Sequence, residues 1–468
     1  MSADEPMVLG IDLGTSCFKA LLVDRRGRLR GLGRATVATD GGEGGLCELP
    51  VQRFWDLLRQ ALAGALAEGS QPPSSIQGLS YSSQANSFIL LDEGGEPLTP
   101  LILWPDHRAA GEIGEIEKLM GRGDFLATTG LGIDPCCELA AAKYGWFRRH
   151  QPELWSRAAR VMTISDYLVW SLTGRAAGDE ATTSLLGLWD LRNHRWWDDA
   201  LKAVGLERSR LSAPLSPGGK IGGVGRRGAE LLPLPVGAVM VAGSLDHHAA
   251  AIGAGLVGTP VSVSLGTVLA CMQLTPGPLP KRGCSVGPGA MGDGFYRLAF
   301  MDEGASLLEW YQRNFAPELS IPELAKLAEQ VASPDARYSV WEPQALVGVR
   351  ERVGLEGFAG RRESHGHGHY VRALMRLVAE NVSRLMGSLE GPDRLRTILC
   401  TGGGARNDFW LQMVADVTGL EVTASACPEP ACLGAAMFAA VSCAWFGGLS
   451  DTARAWIQAR RTFRPRPH

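Results

Sequence analysis

At 468 residues the chain is too long for one ordinary hydrophobic core, and length alone favours two domains. A composition 45% hydrophobic and 20% charged, with a net charge of -3, is that of a soluble globular protein and gives no general reason to bind nucleic acid or an anionic membrane. Ten cysteines, with no Cys-x-x-Cys pair or regular spacing, make neither a disulfide framework nor a zinc signature, so reduced thiols in a cytoplasmic protein and a small-molecule partner are expected.

Residues Met1 to Pro6 are acidic and lead at once into an apolar run, unlike a signal or transit peptide. Met7-Val8-Leu9, then Gly10-Ile11-Asp12-Leu13-Gly14-Thr15-Ser16-Cys17-Phe18-Lys19, then Ala20 to Val23 reads as a β-hairpin. Its turn carries a carboxylate, a hydroxyl and backbone N–H groups, and Lys19 adds a positive charge. Such groups could hold a metal-bound phosphate, and an ordinary hairpin with a solvent-facing Asp would read the same way. Leu29 to Ala38 supplies a third strand. In Gln52 to Leu66, Phe54, Leu57, Leu58, Leu62 and Leu66 fall at helical spacing. Ile76 to Tyr81 returns as a strand and ends in the polar cluster Ser82-Ser83-Gln84-Ala85-Asn86-Ser87. Phe88 to Leu91 and Leu101 to Trp104 are short strands, closed by Pro105-Asp106-His107-Arg108. This order suits a layered α/β domain whose polar strand ends meet a ligand. Helices are expected over Glu138 to His150 and Ile164 to Leu172. The proline-punctuated Leu231 to Pro235 marks a domain boundary, giving domains 1–236 and 237–468.

In the second half, Ala238 to Ala242 is a strand running into Gly243-Ser244-Leu245-Asp246-His247-His248 and an Ala-rich helix. Asp246 there is either an N-cap or a catalytic base at a strand's carboxyl end, with His247 or His248 contacting substrate. Gly253-Ala254-Gly255-Leu256-Val257-Gly258 matches a dinucleotide-binding pattern in the wrong order, after a helix and before a strand. Val261 to Ala270 repeats the opening idea, with Leu265-Gly266-Thr267 as its turn and Ser264 in place of Asp12. Two such turns suggest two related domains facing each other over one nucleotide. Helices follow at Ala305 to Asn314, Ile321 to Val331 and His369 to Leu389. The tract His365-Gly366-His367-Gly368-His369 forms no preorganised metal site. Thr397 to Cys400 is a strand entering Gly402-Gly403-Gly404, whose backbone can approach a ligand closely, and Asp408 to Thr418 is the next helix. Asn407 either caps that helix or touches a base or ribose. From Ala431 to Ser450 there is no charge, and a buried helix packed on a sheet is preferred over a membrane span.

Taken in order, the Gly10 to Lys19 hairpin, Gln84, Ile102 to Arg108, Lys143-Tyr144-Gly145-Trp146-Phe147, Asp246, Leu265-Gly266-Thr267, Gly357-Phe358-Ala359-Gly360 with His369, and Gly402 to Asn407 resemble the FGGY family of carbohydrate kinases. The resemblance covers nearly the whole chain and is nearest the xylulokinase-like branch. It implies two α/β domains of the actin-like, ribonuclease-H-like fold with a deep interdomain cleft. Sugar would lie mostly on the N-terminal side and ATP mostly on the C-terminal side, with closure excluding water. By that likeness Asp246 is the catalytic base and Asp12 helps hold Mg²⁺. Gly14, Thr15, Lys19, Gly266 and Thr267 face the phosphates, and Gly403, Gly404 and Asn407 flank the nucleotide. Gln84, Asn86, Trp104, Asp106, Arg108, Asp246 and His247 surround the sugar, although Arg108 could instead pair with Asp106.

Xylulokinases have Gln-Met-His-Gly, and glycerol kinases Gln-Arg-Glu-Thr, where this chain has Gln84-Ala85-Asn86-Ser87. Xylulose is therefore not assured and glycerol is disfavoured. Val268 and His247 are further departures. The expected activity is ATP-dependent phosphorylation of a hydroxyl on a small ketose such as xylulose, or a related polyol, by a cytoplasmic enzyme with room for a homodimer. The alternative is a non-catalytic sugar- or nucleotide-binding regulator on the same fold, against which the presence of both Asp12 and Asp246 argues.

Overall fold

The computed structural model describes residues 5–38, 45–257, 261–292, 294–331, 337–338, 358–359, 362–389 and 396–466. Met1 to Asp4, Gly357 and Gly360, each part of a sequence expectation, lie outside them. The chain forms two compact units. The first comprises Met1–Gly258, Leu274–Arg297 and Cys427–Gln458, and the second Thr259–Gln273, Leu298–Ala426 and Ala459–His468. Leu231 to Pro235 lies inside the first unit.

The first unit is built around the strand Met7–Leu13, in which every residue is buried. An unbroken apolar run suits a central strand covered on both faces. It pairs antiparallel with Cys17–Asp24, which pairs antiparallel with Leu29–Thr36, so the expected hairpin and third strand both form. On its other side it is parallel to Ile76–Ser83, which in turn is parallel to Val239–Val241 and Ser244–Leu245. The amphipathic helix Val51–Gly69 buries Phe54, Leu57, Leu58, Ala61, Leu62 and Ala65 and packs against Leu29–Thr36.

The charge-free stretch supplies the helix Pro430–Ser442, buried from Cys432 to Ala440, which packs on Met7–Leu13, Ile76–Ser83 and the helix Asp246–Ala254. The two helices approach so closely that a Cβ on Gly253 would lie 1.9 Å from the Pro430 carbonyl oxygen, and one on Gly434 2.0 Å from that of Ala249. Gly253 of the dinucleotide-like pattern is thus a packing residue, and Gly255 ends the helix at φ 107°. Among the described residues no helix is long and apolar enough to cross a membrane. A smaller sheet, Glu48–Leu49, Leu101–Ile102, Phe88–Leu91 and Arg160–Thr163, carries the turn around Trp104.

In the second unit, Val261–Leu265 and Leu269–Thr275 form the second hairpin, with Val261–Leu265 parallel to Thr397–Thr401. The arrangement of the first unit recurs even in register: Ser264 stands opposite Thr401 as Asp12 stands opposite Ser82. Glu421–Ser425 and Ala459–Phe463 extend this sheet. Neither has a sequence expectation, since five residues of mixed polarity are too short to give a strand period. Ser306–Phe315, Ile321–Gln330, His367–Ser388 and Asp408–Thr418 are helical close to the expected bounds.

Candidate functional site

Three parallel strands of the first unit end together. Asp12 is next to last in Met7–Leu13, Ser82 lies opposite it on Ile76–Ser83, and Ser244 lies opposite Ser82, two residues before Asp246. Carboxyl ends of parallel strands are where α/β sheets present chemistry. The Asp12 carboxylate is 5% exposed; it accepts from Ser82 Oγ at 2.8 Å and from Lys19 Nζ at 3.1 Å. Burial pushes its pKa up, the Lys19 charge and the Ser82 hydroxyl oppose that, and the Asp246 charge adds to it. Lys19 also bonds to Glu429 at 2.9 Å, and Glu429 accepts from Arg34 at 2.7 Å. Burial works against ionised Glu429, but Lys19 and Arg34 outweigh it and hold its carboxyl below the usual range.

Asp246 is half-buried and begins its helix, whose N-cap position falls to Leu245 without a capping side chain. Its Oδ1 accepts from the His247 amide at 2.6 Å. Of the two histidines expected near substrate, His247 is half-buried, whereas His248 is fully enclosed. His248 Nδ1 lies 2.6 Å from Ser244 Oγ, its ring packs on Tyr296, and burial drops its pKa to about 3, so it is neutral and cannot meet a ligand.

The polar loop after Ile76–Ser83 turns its side chains on the backbone. Gln84 donates from Nε2 to the Leu13 carbonyl at 3.2 Å and accepts from Ser87 Oγ at 2.8 Å. Ser87 Oγ in turn accepts from the Trp104 amide at 2.9 Å, and the Trp104 indole N–H donates to Thr15 Oγ1 at 2.7 Å. Asn86, in a left-handed conformation at φ 62°, accepts from the Ala140 amide at 3.0 Å and donates to the Leu185 carbonyl at 3.3 Å. Asp106 is fully buried, accepting from the Cys47 amide and from Arg108 Nε at 2.7 Å each. Arg108 also reaches Glu48 and stacks over Trp146 and Phe147, so the pairing of Arg108 with Asp106 is made. Burial opposes the Asp106 charge, but the bonds from Arg108 hold its pKa down.

Sequence reasoning assigned no role to three residues that support the site. Lys143, fully buried, donates to the carbonyls of Leu103, Trp104 and Glu138 at 3.2, 2.7 and 3.1 Å, and burial lowers its pKa to about 8. It falls in the Lys143 to Phe147 landmark, which is the signal that could have found it. Ser82 falls in the polar cluster at its strand's end, whereas Glu429 has no local signal, lying 395 positions from its Arg34 partner.

In the second unit the structure brings the triple glycine to the Leu265-Gly266-Thr267 turn. Gly402 has φ 85°, and a Cβ there would lie 2.8 Å from the Leu265 carbonyl. Gly404 is equally confined by Leu265, while nothing lies within 4 Å of a Cβ on Gly403. Gly403 therefore offers open backbone beside an exposed Thr267. The turn rests on the start of Ser306–Phe315: the Ala305 amide donates to the Gly266 carbonyl at 2.7 Å, and only glycine fits at Gly304, where a Cβ would stand 2.5 Å from that oxygen. Asn407 Oδ1 accepts from the Trp410 amide at 2.8 Å and so caps Asp408–Thr418.

The chain matches the model of the FGGY family of carbohydrate kinases, N-terminal domain, over residues 7–253 and that of the C-terminal domain over residues 261–443. It is 28% identical to a xylulose kinase of Lactococcus lactis, with 98% of this chain and 93% of that one covered. It is 30% identical to a xylulose kinase of Streptomyces rubiginosus, covering 94% and 88%. Among solved structures, a ligand-bound xylulose kinase from Lactobacillus acidophilus superposes with a TM-score of 0.85 at 18% identity, covering 99% of this chain and 94% of that one. The fold is the two-domain, actin-like and ribonuclease-H-like α/β architecture that the sequence resemblance implied. With both family models matched in order around the hairpins just described, the chain belongs to the FGGY family of carbohydrate kinases.

Proposed function

We propose that this carbohydrate kinase transfers the γ-phosphoryl group of ATP to a hydroxyl of a small ketose of the xylulose class, with related polyols as the secondary substrates. The observation that carries this reading is the alignment of Asp12, Ser82 and Ser244 across three parallel strand ends, with Asp246 emerging immediately beyond. Asp246 serves as general base: one carboxylate oxygen is steadied by the His247 amide, leaving the other for the proton of the attacking hydroxyl. As the sugar oxygen bonds to the γ-phosphorus, the bond to the ADP oxygen breaks and the proton passes to Asp246.

Mg²⁺ suits the Asp12 position, because a buried carboxylate flanked by a hydroxyl offers oxygen donors only, and Mg²⁺ takes one or two carboxylates with phosphate oxygens and water. When bound, it would neutralise phosphate charge. Lys19, shared between Asp12 and Glu429, opposes the rise that burial imposes on the Asp12 pKa. Gly14, Thr15, Gly266 and Thr267 are assigned to the phosphates. Gly403 and Gly404 lie against the nucleotide, with Asn407 fixing the helix beside them.

Trp104 and His247 are assigned to the sugar itself. Gln84, Asn86, Asp106 and Arg108, whose polar atoms bond mostly to backbone and to each other, shape the loop that presents Trp104. The names of the two relatives support a ketose, and dependence on ATP supports a cytoplasmic location. The test is ADP release measured over a panel of ketoses, polyols and glycerol. A single pentulose with the highest kcat/KM supports the reading, and preference for glycerol or another polyol refutes the ketose assignment.

A further inference from the structure

We infer that His107, Cys137 and Glu138 form a site for a borderline-soft divalent cation of the zinc type, separate from Asp12. His107 Nε2 lies 3.2 Å from one Glu138 oxygen, and Cys137 Sγ lies 3.5 Å from the other. The three donor atoms all fall within 4.8 Å of one another, the one place among the described residues where three such groups converge. Tetrahedral zinc, with bonds of about 2.0 Å to nitrogen or oxygen and about 2.3 Å to sulfur, puts neighbouring donors roughly 3.3–3.5 Å apart. Each pair with Glu138 stands close to that spacing, but through a different carboxylate oxygen, so one oxygen must turn between His107 and Cys137 as a cation enters. His107 is exposed enough to swing inward with it.

The donor set decides the ion. Imidazole, thiolate and one carboxylate suit zinc, whereas Mg²⁺ and Ca²⁺ take oxygen ligands. The fourth position falls to water or to the half-buried thiol of Cys136, next along the chain. Binding releases the Cys137 thiol proton to solvent.

The backbone frame on both sides is fixed before any metal arrives. Lys143 ties the Leu103 and Trp104 carbonyls to that of Glu138, and the His107 amide donates to the Gly45 carbonyl at 2.9 Å. Sequence spacing gave no zinc signature because the ligands come from two separate segments, joined only by the fold. Occupancy would link the turn that carries Trp104 to the segment leading into the helix Ala140–His150.

The test is titration of the tag-free full-length chain, stripped with chelator, by Co²⁺ and then Zn²⁺. The expected result is one Co²⁺ per chain with a thiolate-to-cobalt charge-transfer band, displaced by one equivalent of Zn²⁺. His107→Ala should weaken Co²⁺ binding by at least about tenfold, since even loss of an outer partner costs that much. Cys136→Ser with Cys137→Ser should abolish the band. Absence of stoichiometric binding, or a band unchanged in both variants, overturns the assignment and points to the other thiols or to the His365 to His369 tract. Near-parental melting temperatures identify the variants as folded.

Discussion

Gly10→Ala isolates the packing that holds the first hairpin in place. The added Cβ would lie 1.9 Å from the Cys432 carbonyl oxygen and 3.0 Å from the Ala436 amide nitrogen, both on the helix Pro430–Ser442. Ordinary contact begins at 3.4 Å, so the strand and helix must separate locally by about 1.5 Å. Neither partner can yield cheaply, because the strand is buried throughout and the helix from Cys432 to Ala440. Overpacking of this kind costs about 1–3 kcal/mol, occasionally more. In a unit this large, each kcal/mol lowers Tm by about 2–4 °C. Scanning calorimetry should therefore show a fall of roughly 2–12 °C. A Tm within about 1 °C of the parent would refute the reasoning that Gly10 is glycine because backbone meets backbone there.

The same change at Gly403, where a Cβ meets nothing within 4 Å, should leave Tm unchanged and raise KM for ATP severalfold; an unchanged KM would remove Gly403 from the nucleotide site. Asp166 gives a pH prediction. Burial raises its pKa to about 7, and the Asp179 charge adds to the rise against the bond from the Thr163 amide. A folded-state pKa above the unfolded 3.8 means that this contribution to stability is complete below about pH 4 and is lost as pH rises to about 7. Asp166→Asn should thus gain in Tm relative to the parent between pH 5 and pH 7.5, as measured by paired melts; a constant gap would contradict a buried, proton-binding carboxylate.

The central elements of both units were legible because their signals are local. The Gly10 to Lys19 and Val261 to Ala270 hairpins carry apolar runs around a glycine turn, and Val51–Gly69 repeats its apolar residues at helical spacing. Beyond the Arg108–Asp106 pair and the Asn407 cap, what the site residues bond to was not legible. Gln84 and Asn86 read as polar groups for a sugar, and nothing local shows that the Gln84 amide bonds to the Leu13 carbonyl and Ser87 Oγ, or the Asn86 amide to the Leu185 carbonyl and the Ala140 amide. Asp246 and His248 sit two residues apart in one motif, yet only the helix phase decides that one faces outward and the other is sealed against Tyr296. Lys19 read as a phosphate ligand, while its second partner, Glu429, comes from the far end of the chain. Gly253 of the dinucleotide-like pattern shows the same limit, since its contact with the Pro430 carbonyl exists only in the folded unit.

The most direct test of the proposed chemistry is the turnover of Asp246→Asn with the best sugar from the panel. Asparagine keeps an oxygen for the His247 amide, so fold and sugar binding should survive. Loss of the base should cut kcat by about 10²-fold or more with Tm and sugar Kd near the parental values. A folded variant that binds the sugar and turns over within a fewfold of the parent would contradict the assignment of Asp246 as the base.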